Sequence, residues 1–148
     1  MVWGFNLPRS SSPLVNARVE SASTKPTFKE SWERRRCIIP ASYYFVREHL
    51  INAVTGKAKT GDKYMIQPKG AEITWLAGLY RIEEMSGIRV PFFTVLTREP
   101  SEEIRFIHDR MPVILPREVV EEWIRPDSKP DEVIKTAMTD MVFEKIIA

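Results

Sequence analysis

Apolar residues fall along this chain in short blocks separated by turn formers, not in long helical stripes. Arg36-Cys37-Ile38-Ile39, residues 43–46, Tyr64-Met65-Ile66-Gln67, residues 74–80 and residues 92–97 are rich in β-branched and aromatic side chains and predict strands. Ser86-Gly87 predicts a hairpin tip between Ile82 and Val90. Residues 52–62, a run of turn formers and lysines, predict a loop. Helical spacing is confined to short segments. Residues 25–32 form one, with Thr24 as its expected cap, Pro26 in its first turn, and Phe28 and Trp32 one turn apart. Residues 99–107 form another, with acidic residues at its positive end. In residues 116–124, Val119, Val120, Trp123 and Ile124 are the expected buried face. A last helix is expected from Pro130, capped by Ser128 or Asp127 and burying Val133, Ile134 and Ala137. Strands outnumber helices and often follow one another directly, which predicts an α+β fold with mainly antiparallel sheet.

Composition narrows the class. The chain has 148 residues, the size of one ordinary domain, so residues 1–148 are read as a single domain. Hydrophobic residues make up 43% and charged residues 28%, the balance of a soluble globular protein. Lys and Arg total 22 against 20 Asp and Glu, and the net +2 is too small to mark a nucleic-acid binder by itself. No apolar run approaches the ~20 residues of a membrane-spanning helix, and the first residues lack a secretory pattern. The single cysteine, Cys37, rules out an internal disulfide and a cysteine-rich zinc site, and a reducing cytoplasm is the expected compartment. No metal-ligand spacing, phosphate-cradling glycine loop or nucleotide fingerprint occurs, so neither cofactor nor metal is expected.

Several polar positions could carry chemistry. His108 lies between a predicted helix and a predicted strand, followed by Asp109 and Arg110. Its imidazole can exchange protons near neutral pH, and Asp109 and Arg110 can orient it or clamp a phosphate. The plainer alternative is a loop histidine bonded to backbone. His49 reads as a surface residue at an exposed strand end. Asn16, Arg18 and Glu20 share one face if that segment is extended, and such a row either reads a ligand or forms a solvated edge. Arg34-Arg35-Arg36 with Lys57, Lys59 and Lys63 could form a phosphate-binding stripe, or simply be solvated surface. Trp3 could stack on a base or pack. Cys37 sits in an apolar strand and reads as an inert core thiol.

Taken in order, Trp3-Gly4-Phe5, Asn16-Ala17-Arg18-Val19-Glu20, Lys25-Pro26-Thr27-Phe28, Arg35-Arg36-Cys37-Ile38-Ile39-Pro40-Ala41, Ala77-Gly78-Leu79-Tyr80, Phe93-Thr94-Val95-Leu96-Thr97 and Ile107-His108-Asp109-Arg110-Met111-Pro112 resemble the SRAP family, the SOS response-associated peptidases. The resemblance runs from Trp3 to about Pro126. It implies a barrel-like, mainly antiparallel sheet flanked by short helices. It also implies binding of single-stranded DNA and capture of abasic sites. In the family an N-terminal cysteine joins the ring-opened sugar as a thiazolidine, and autocatalytic removal of the preceding residues is the proposed peptidase step. Carried over by motif, the resemblance places Asn16 beside the reacting sugar and makes His108 the histidine that assists ring chemistry. It places Trp3, Arg18, Thr97 and Arg110 along the DNA.

Two positions depart from the family pattern. The family begins Met-Cys-Gly-Arg some tens of residues before its Trp-Gly motif, whereas this chain begins almost at that motif with Val2 in second position, and Val46 stands where the catalytic glutamate belongs. Cys37 cannot replace the family's N-terminal cysteine, because a thiazolidine needs amine and thiol on one terminal residue. Glu48 would share a strand face with Val46, one pair further along. The expectation is therefore a DNA-damage protein that binds single-stranded or abasic DNA with its covalent chemistry lost or impaired. The alternative is a noncatalytic interaction or regulatory domain on the same fold. A short N-terminus is expected to leave an exposed edge or apolar face, which a second copy could cover as a homodimer.

Overall fold

The computed structural model describes residues 1–147. One sheet contains β1 (Val2–Trp3), β2 (Asn16–Arg18), β3 (Arg36–Ala41), β6 (Thr74–Met85), β7 (Ile88–Arg98), β8 (Met111–Pro112) and β9 (Ile114–Leu115). A second contains β4 (Tyr44–Ile51), β5 (Ala58–Pro68) and β10 (Met141–Ile146). Helices are short: α1 (Val19–Ala22), α2 (Lys29–Arg34), α3 (Val120–Ile124) and α4 (Pro130–Ile134). Strand pairs are antiparallel except those of β1 and β2 with β7. The α+β, mainly antiparallel expectation holds. The described residues form two sheets and no closed barrel.

The long β6–β7 hairpin organises both cores. Ser86 (φ 53°) and Gly87 (φ 80°) both take positive φ, as a two-residue type I′ turn requires, and Met85 pairs with Ile88. Side chains then alternate between faces. Ala77 and Leu79 of β6, Leu96 of β7 and Ala17 of β2 enter one core with Phe5, Phe28, Trp32 and Trp123. Leu76 and Val95 enter the other, with Ile66 of β5, Met141 of β10, Ile104, Ile107 and Ile114. The second core lies between the sheets. Gly78 marks the tightest crossing: a Cβ there would lie 2.6 Å from Ile39 Cδ1 and 2.9 Å from the Thr94 carbonyl oxygen.

Several sequence expectations change. The loop over 52–62 shrinks to a hairpin tip, because β5 begins at Ala58. Residues 99–107 form only one 3-10 turn at Glu102–Ile104, since Ile104 and Ile107 both insert into the second core and the spacing of three suits that helix. α2 starts at Lys29, and the Thr24 hydroxyl bonds the Ser21 carbonyl instead of capping it. α4 has no side-chain cap, because the Ser128 hydroxyl is engaged by Arg36. Ile124 is 45% exposed, outside the expected buried face. Glu20 leaves the Asn16–Arg18 row because the chain turns into α1 at Val19. β10 follows no signal used above; it pairs along the whole of one side of β5 from Lys63 to Pro68.

Two arginines hold these pieces in place. Arg36 is 3% exposed, so it cannot belong to a phosphate-binding stripe. Its guanidinium donates to Trp32 O (2.7 Å) and Glu33 O (2.9 Å) in α2, to Trp123 O (2.7 Å) in α3, and to Arg125 O and Ser128 Oγ (2.8 Å) beyond it. The carbonyl ends of two helices thus converge on one buried cation, which is favourable for the negative end of a helix. Arg110 donates to both carboxylate oxygens of Glu20, at 2.9 and 2.8 Å, and to Thr97 O at 2.8 Å. It ties α1 to β7 beside His108.

Removing the Arg36 guanidinium leaves these carbonyls buried and unpaired, a loss of about 3–5 kcal/mol by analogy with broken buried charge networks. At about 2–4 °C per kcal/mol for a chain of this size, Arg36→Met lowers the melting temperature by roughly 10 °C in thermal circular dichroism. Arg36→Lys, with three donors for five acceptors, lowers it by less. An unchanged melt for Arg36→Met would refute the assignment.

The Arg110 hydrogen bonds hold the Glu20 carboxyl below the usual carboxylate range. A depressed folded-state pKa adds stability above the unfolded value and loses it as pH falls through the folded value. Urea titrations of wild type and Glu20→Gln should therefore differ above about pH 5 and converge at lower pH, the unfolded carboxyl titrating near ~4.3. Parallel curves across that window would contradict the pair's contribution.

Candidate nucleic-acid site

β2 and β7 fix the first wall. In their register Asn16 lies beside Val95, Ala17 beside Leu96 and Arg18 beside Thr97. Ala17 and Leu96 point into the first core, so Asn16, Val95, Arg18 and Thr97 share the opposite face. β4 of the second sheet supplies the facing wall through Tyr44, Phe45 and Val46. Residues 108–112 close the end. The result is a cavity of about 280 Å³ lined by Trp3, Asn16, Thr97, His108 and Arg110 among apolar residues that include Leu76, Val95 and Met111. Five of the six residues expected to act on or hold DNA therefore line one cavity. The sixth, Arg18, is exposed two residues beyond Asn16; its side chain makes no hydrogen bond or ion pair among the described residues, and its charge acts on the nearby Glu20 carboxylate.

Local bonding sets what each group can do. The His108 Nδ1 accepts the Arg110 backbone N–H at 3.0 Å. In the neutral ring that leaves the proton on Nε2, so the imidazole can donate there. Thr97 is 9% exposed, and its hydroxyl faces the Arg110 Nη2 at 3.3 Å. The Arg110 guanidinium is occupied by Glu20 and Thr97, so it shapes the wall and is not free to grip an anion. Trp3 is 55% exposed; its Nε1–H donates to Val15 O at 2.9 Å and its ring stacks on Phe93 with 2° between planes. The indole is held, and one face remains open to a stacking partner.

The wall around Val46 differs from expectation in two ways. The Glu48 carboxylate accepts the Asp62 backbone N–H at 3.0 Å and packs over Gly61, so it does not stand in for a cavity carboxylate. The β4–β5 register shifts between Arg47 and His49, with the extra residue on β5 opposite Glu48, so β4 keeps its alternation and His49 stays exposed. His49 meets His108, with ring centroids 5.5 Å apart and 27° between planes. The expected bland strand-end histidine is a direct neighbour of the cavity histidine. Strand alternation gives no signal for this, because the contact is made by the turn after residue 106, whose Ile107 carbonyl accepts the His49 backbone N–H.

Tyr44 is a second residue the sequence reading missed. It shares the face of Val46, so the position expected for a glutamate carried the signal. Its buried hydroxyl has no hydrogen-bond partner among the described residues, and burial pushes its pKa up. Burial also raises the Cys37 thiol to about 12, consistent with an inert core residue. Around the mouth, Tyr43 and Phe45 are half-exposed and in edge contact, and Lys63 lies 4.2 Å above the Phe45 ring. No helix of the described residues is long and apolar enough to cross a membrane.

The chain is 35% identical over 120 residues to the abasic site processing protein YoaM of Bacillus subtilis (strain 168), covering 80% of this chain and 50% of that protein. It is 29% identical over 133 residues to the abasic site processing protein YedK of Escherichia coli (strain K12), covering 88% of this chain and 55% of that protein. A crystal structure of a Bacteroides thetaiotaomicron protein superposes with a TM-score of 0.74 at 26% identity, covering 89% of this chain and 58% of that one. The chain thus spans about half the length of the curated relatives it matches. The profile of the family described as SOS response associated peptidase (SRAP) matches residues 1–146, and the chain belongs to that family.

Proposed function

We propose that this chain binds abasic sites in single-stranded DNA, with the baseless sugar in the cavity between the sheets. The observation that carries the reading is the convergence of Asn16, Thr97 and His108, distant in sequence, on one cavity. The names of the relatives support DNA with a missing base as the ligand. In this reading the Asn16 amide holds the sugar, and the His108 Nε2–H donates to the ring oxygen as the sugar opens to its aldehyde. The free Arg18 guanidinium takes a backbone phosphate. The open face of Trp3 stacks on the neighbouring base. Arg110 acts as a positioning residue, holding Thr97 and the turn that carries His108.

Val46 sets the chemistry this wall supports. A second group able to pass a proton is absent at that position, and loss of one such group typically slows a reaction about 10²–10⁴-fold. Binding without efficient covalent capture follows from that wall.

Fluorescence polarization with a single-stranded oligonucleotide carrying one abasic site should show binding that weakens steeply with salt. Arg18→Ala should weaken it and lower the log–log salt slope by about one, the signature of a lost phosphate contact. Asn16→Ala should lower the preference for the abasic over the intact strand while leaving the salt slope in place. No binding at low salt would remove this reading in favour of an interaction domain.

Trp32 and Trp123 are 4% and 0% exposed, and the half-buried Trp75 lies outside the cavity under the Arg117 guanidinium, so Trp3 is the tryptophan placed to report stacking in the cavity. Tryptophan emission should be quenched on adding the oligonucleotide, and Trp3→Ala should abolish most of that change. The same variant should weaken affinity by about 1–3 kcal/mol, the range for base–aromatic stacking. Unaltered quenching in the variant would exclude Trp3 from the strand path.

A further inference from the structure

The outer face of the second sheet carries two aromatic rings and two cations in fixed register. Phe45 lies beside Met65 and Arg47 beside Lys63 across β4 and β5, and cross-strand partners point the same way. Tyr44, Val46, Tyr64 and Ile66, which alternate with them, pack in the second core, so these four face outward. We propose that this face continues the strand path beyond the cavity, with a base stacked against Tyr43 and Phe45 and a backbone phosphate held between Arg47 and Lys63. The inference rests on the single-stranded DNA reading above and adds a flanking nucleotide to it.

The fold sets the two cations against each other. Arg47 and Lys63 stand directly opposite, an arrangement in which like charges destabilise a strand pair. Neither forms an ion pair among the described residues, and the acids next to them in sequence are engaged elsewhere: Asp62 pairs with Lys145 at 2.7 Å, and Glu48 accepts the Asp62 backbone N–H at 3.0 Å. The Lys63 ammonium lies instead 4.2 Å from the centroid of the Phe45 ring. Glu144 of β10 shares this face but stands across Met65, away from both cations. An anion between Arg47 and Lys63 relieves their repulsion, which a neutral or cationic partner does not.

The neighbouring rings make that anion part of a nucleotide. Tyr43 and Phe45 are half-exposed and in edge contact, with centroids 5.2 Å apart. Phe45 and Arg47 are two residues apart on one strand, about 6.6 Å, within the span of the base and phosphate of one nucleotide. Aromatic side chains beside a row of cations hold single strands without regard to sequence. Phe45 also lines the cavity, on the wall facing Trp3. A strand whose sugar occupies the cavity therefore reaches this face directly. Trp3 and Arg18 then take the nucleotide on one side of the lesion, and Phe45, Arg47 and Lys63 take the one on the other.

The test compares Phe45→Ala and Arg47→Gln/Lys63→Gln with wild type by fluorescence polarization, on an abasic strand and on the same strand intact. The outer face never meets the missing base, so Phe45→Ala should weaken both strands by the same factor, about tenfold for one lost stacking contact. The double variant should also weaken both and lower the log–log salt slope by ~0.7, one phosphate of a single strand. Its thermal melt should equal or exceed that of wild type, because an opposed like-charge pair is gone. On abasic strands carrying nucleotides on one side only, both variants should match wild type for one strand and stay weaker for the other. Wild-type affinity of both variants for every strand would overturn the proposal and leave the face to a protein partner. Loss on the abasic strand alone would also overturn it, since that places these residues in the cavity. A wild type that does not prefer the abasic strand, yet is weakened by Phe45→Ala, removes the cavity reading and keeps this one; no binding of either strand by wild type removes both.

Discussion

The site exists because one arginine makes bonds in three directions. Arg110 bonds the Glu20 carboxylate in α1 and the Thr97 carbonyl in β7, while its own backbone N–H fixes the His108 ring. Each contact alone is modest, since an exposed ion pair contributes about 0–1 kcal/mol. Together they set the distance between the strand that carries Asn16 and Arg18 and the turn that carries the imidazole. A planar fork with five donors does this where a lysine ammonium could not, because the bonds leave in fixed, divergent directions. The arginine most easily read as an anion clamp is therefore spent on positioning, and Arg18, two residues beyond Asn16 on β2, is left without an ion pair among the described residues.

Arg36 plays the equivalent part for the first core. A buried guanidinium without a carboxylate partner would be costly. Here helix carbonyls do the work of a counter-ion, and the two helices that supply them are too short to hold together by their own backbone bonds. Those helices exist in their places because the arginine joins their ends. The basic run at residues 34–36 thus splits by role, with Arg36 inside and Arg35 paired to Glu30 at 3.2 Å on the surface.

Strand identity, the hairpin at Ser86-Gly87 and the α+β class were legible in the sequence because each depends on local side-chain preference or turn chemistry. The lining of the cavity by Asn16, Thr97 and His108 was legible only through ordered motifs, since no periodicity relates those residues. What escaped the sequence is of one kind. β10 pairs because β5 offers a free edge, residues 99–107 tighten because two isoleucines reach one core, and His49 meets His108 because the turn before His108 bonds the β4 backbone through Ile107. Each is decided by a neighbour distant in sequence, which single-strand alternation does not contain. Glu48 shows the same limit: counting by twos placed it beside Val46, and its carboxylate instead closes on the Asp62 amide.

Tyr44 indicates what kind of occupant the cavity is shaped for. A buried hydroxyl left unpaired costs about 1–3 kcal/mol, and most buried polar groups in folded proteins avoid it. This one belongs to a residue that packs against the second core and lines the cavity with Leu76, Val95 and Met111 beside the polar Asn16, Thr97 and His108. A phenylalanine would fill the same space without that penalty. A small polar occupant of the cavity, water included, would supply the missing partner. Such an occupant carries a hydrogen-bonding atom to the depth of the hydroxyl. A deoxyribose stripped of its base is small enough to reach that depth and is rich in such atoms, whereas an apolar side chain docking from another protein would leave the hydroxyl unpaired. The same lining that makes the orphan costly therefore favours a polar, compact ligand over a hydrophobic partner.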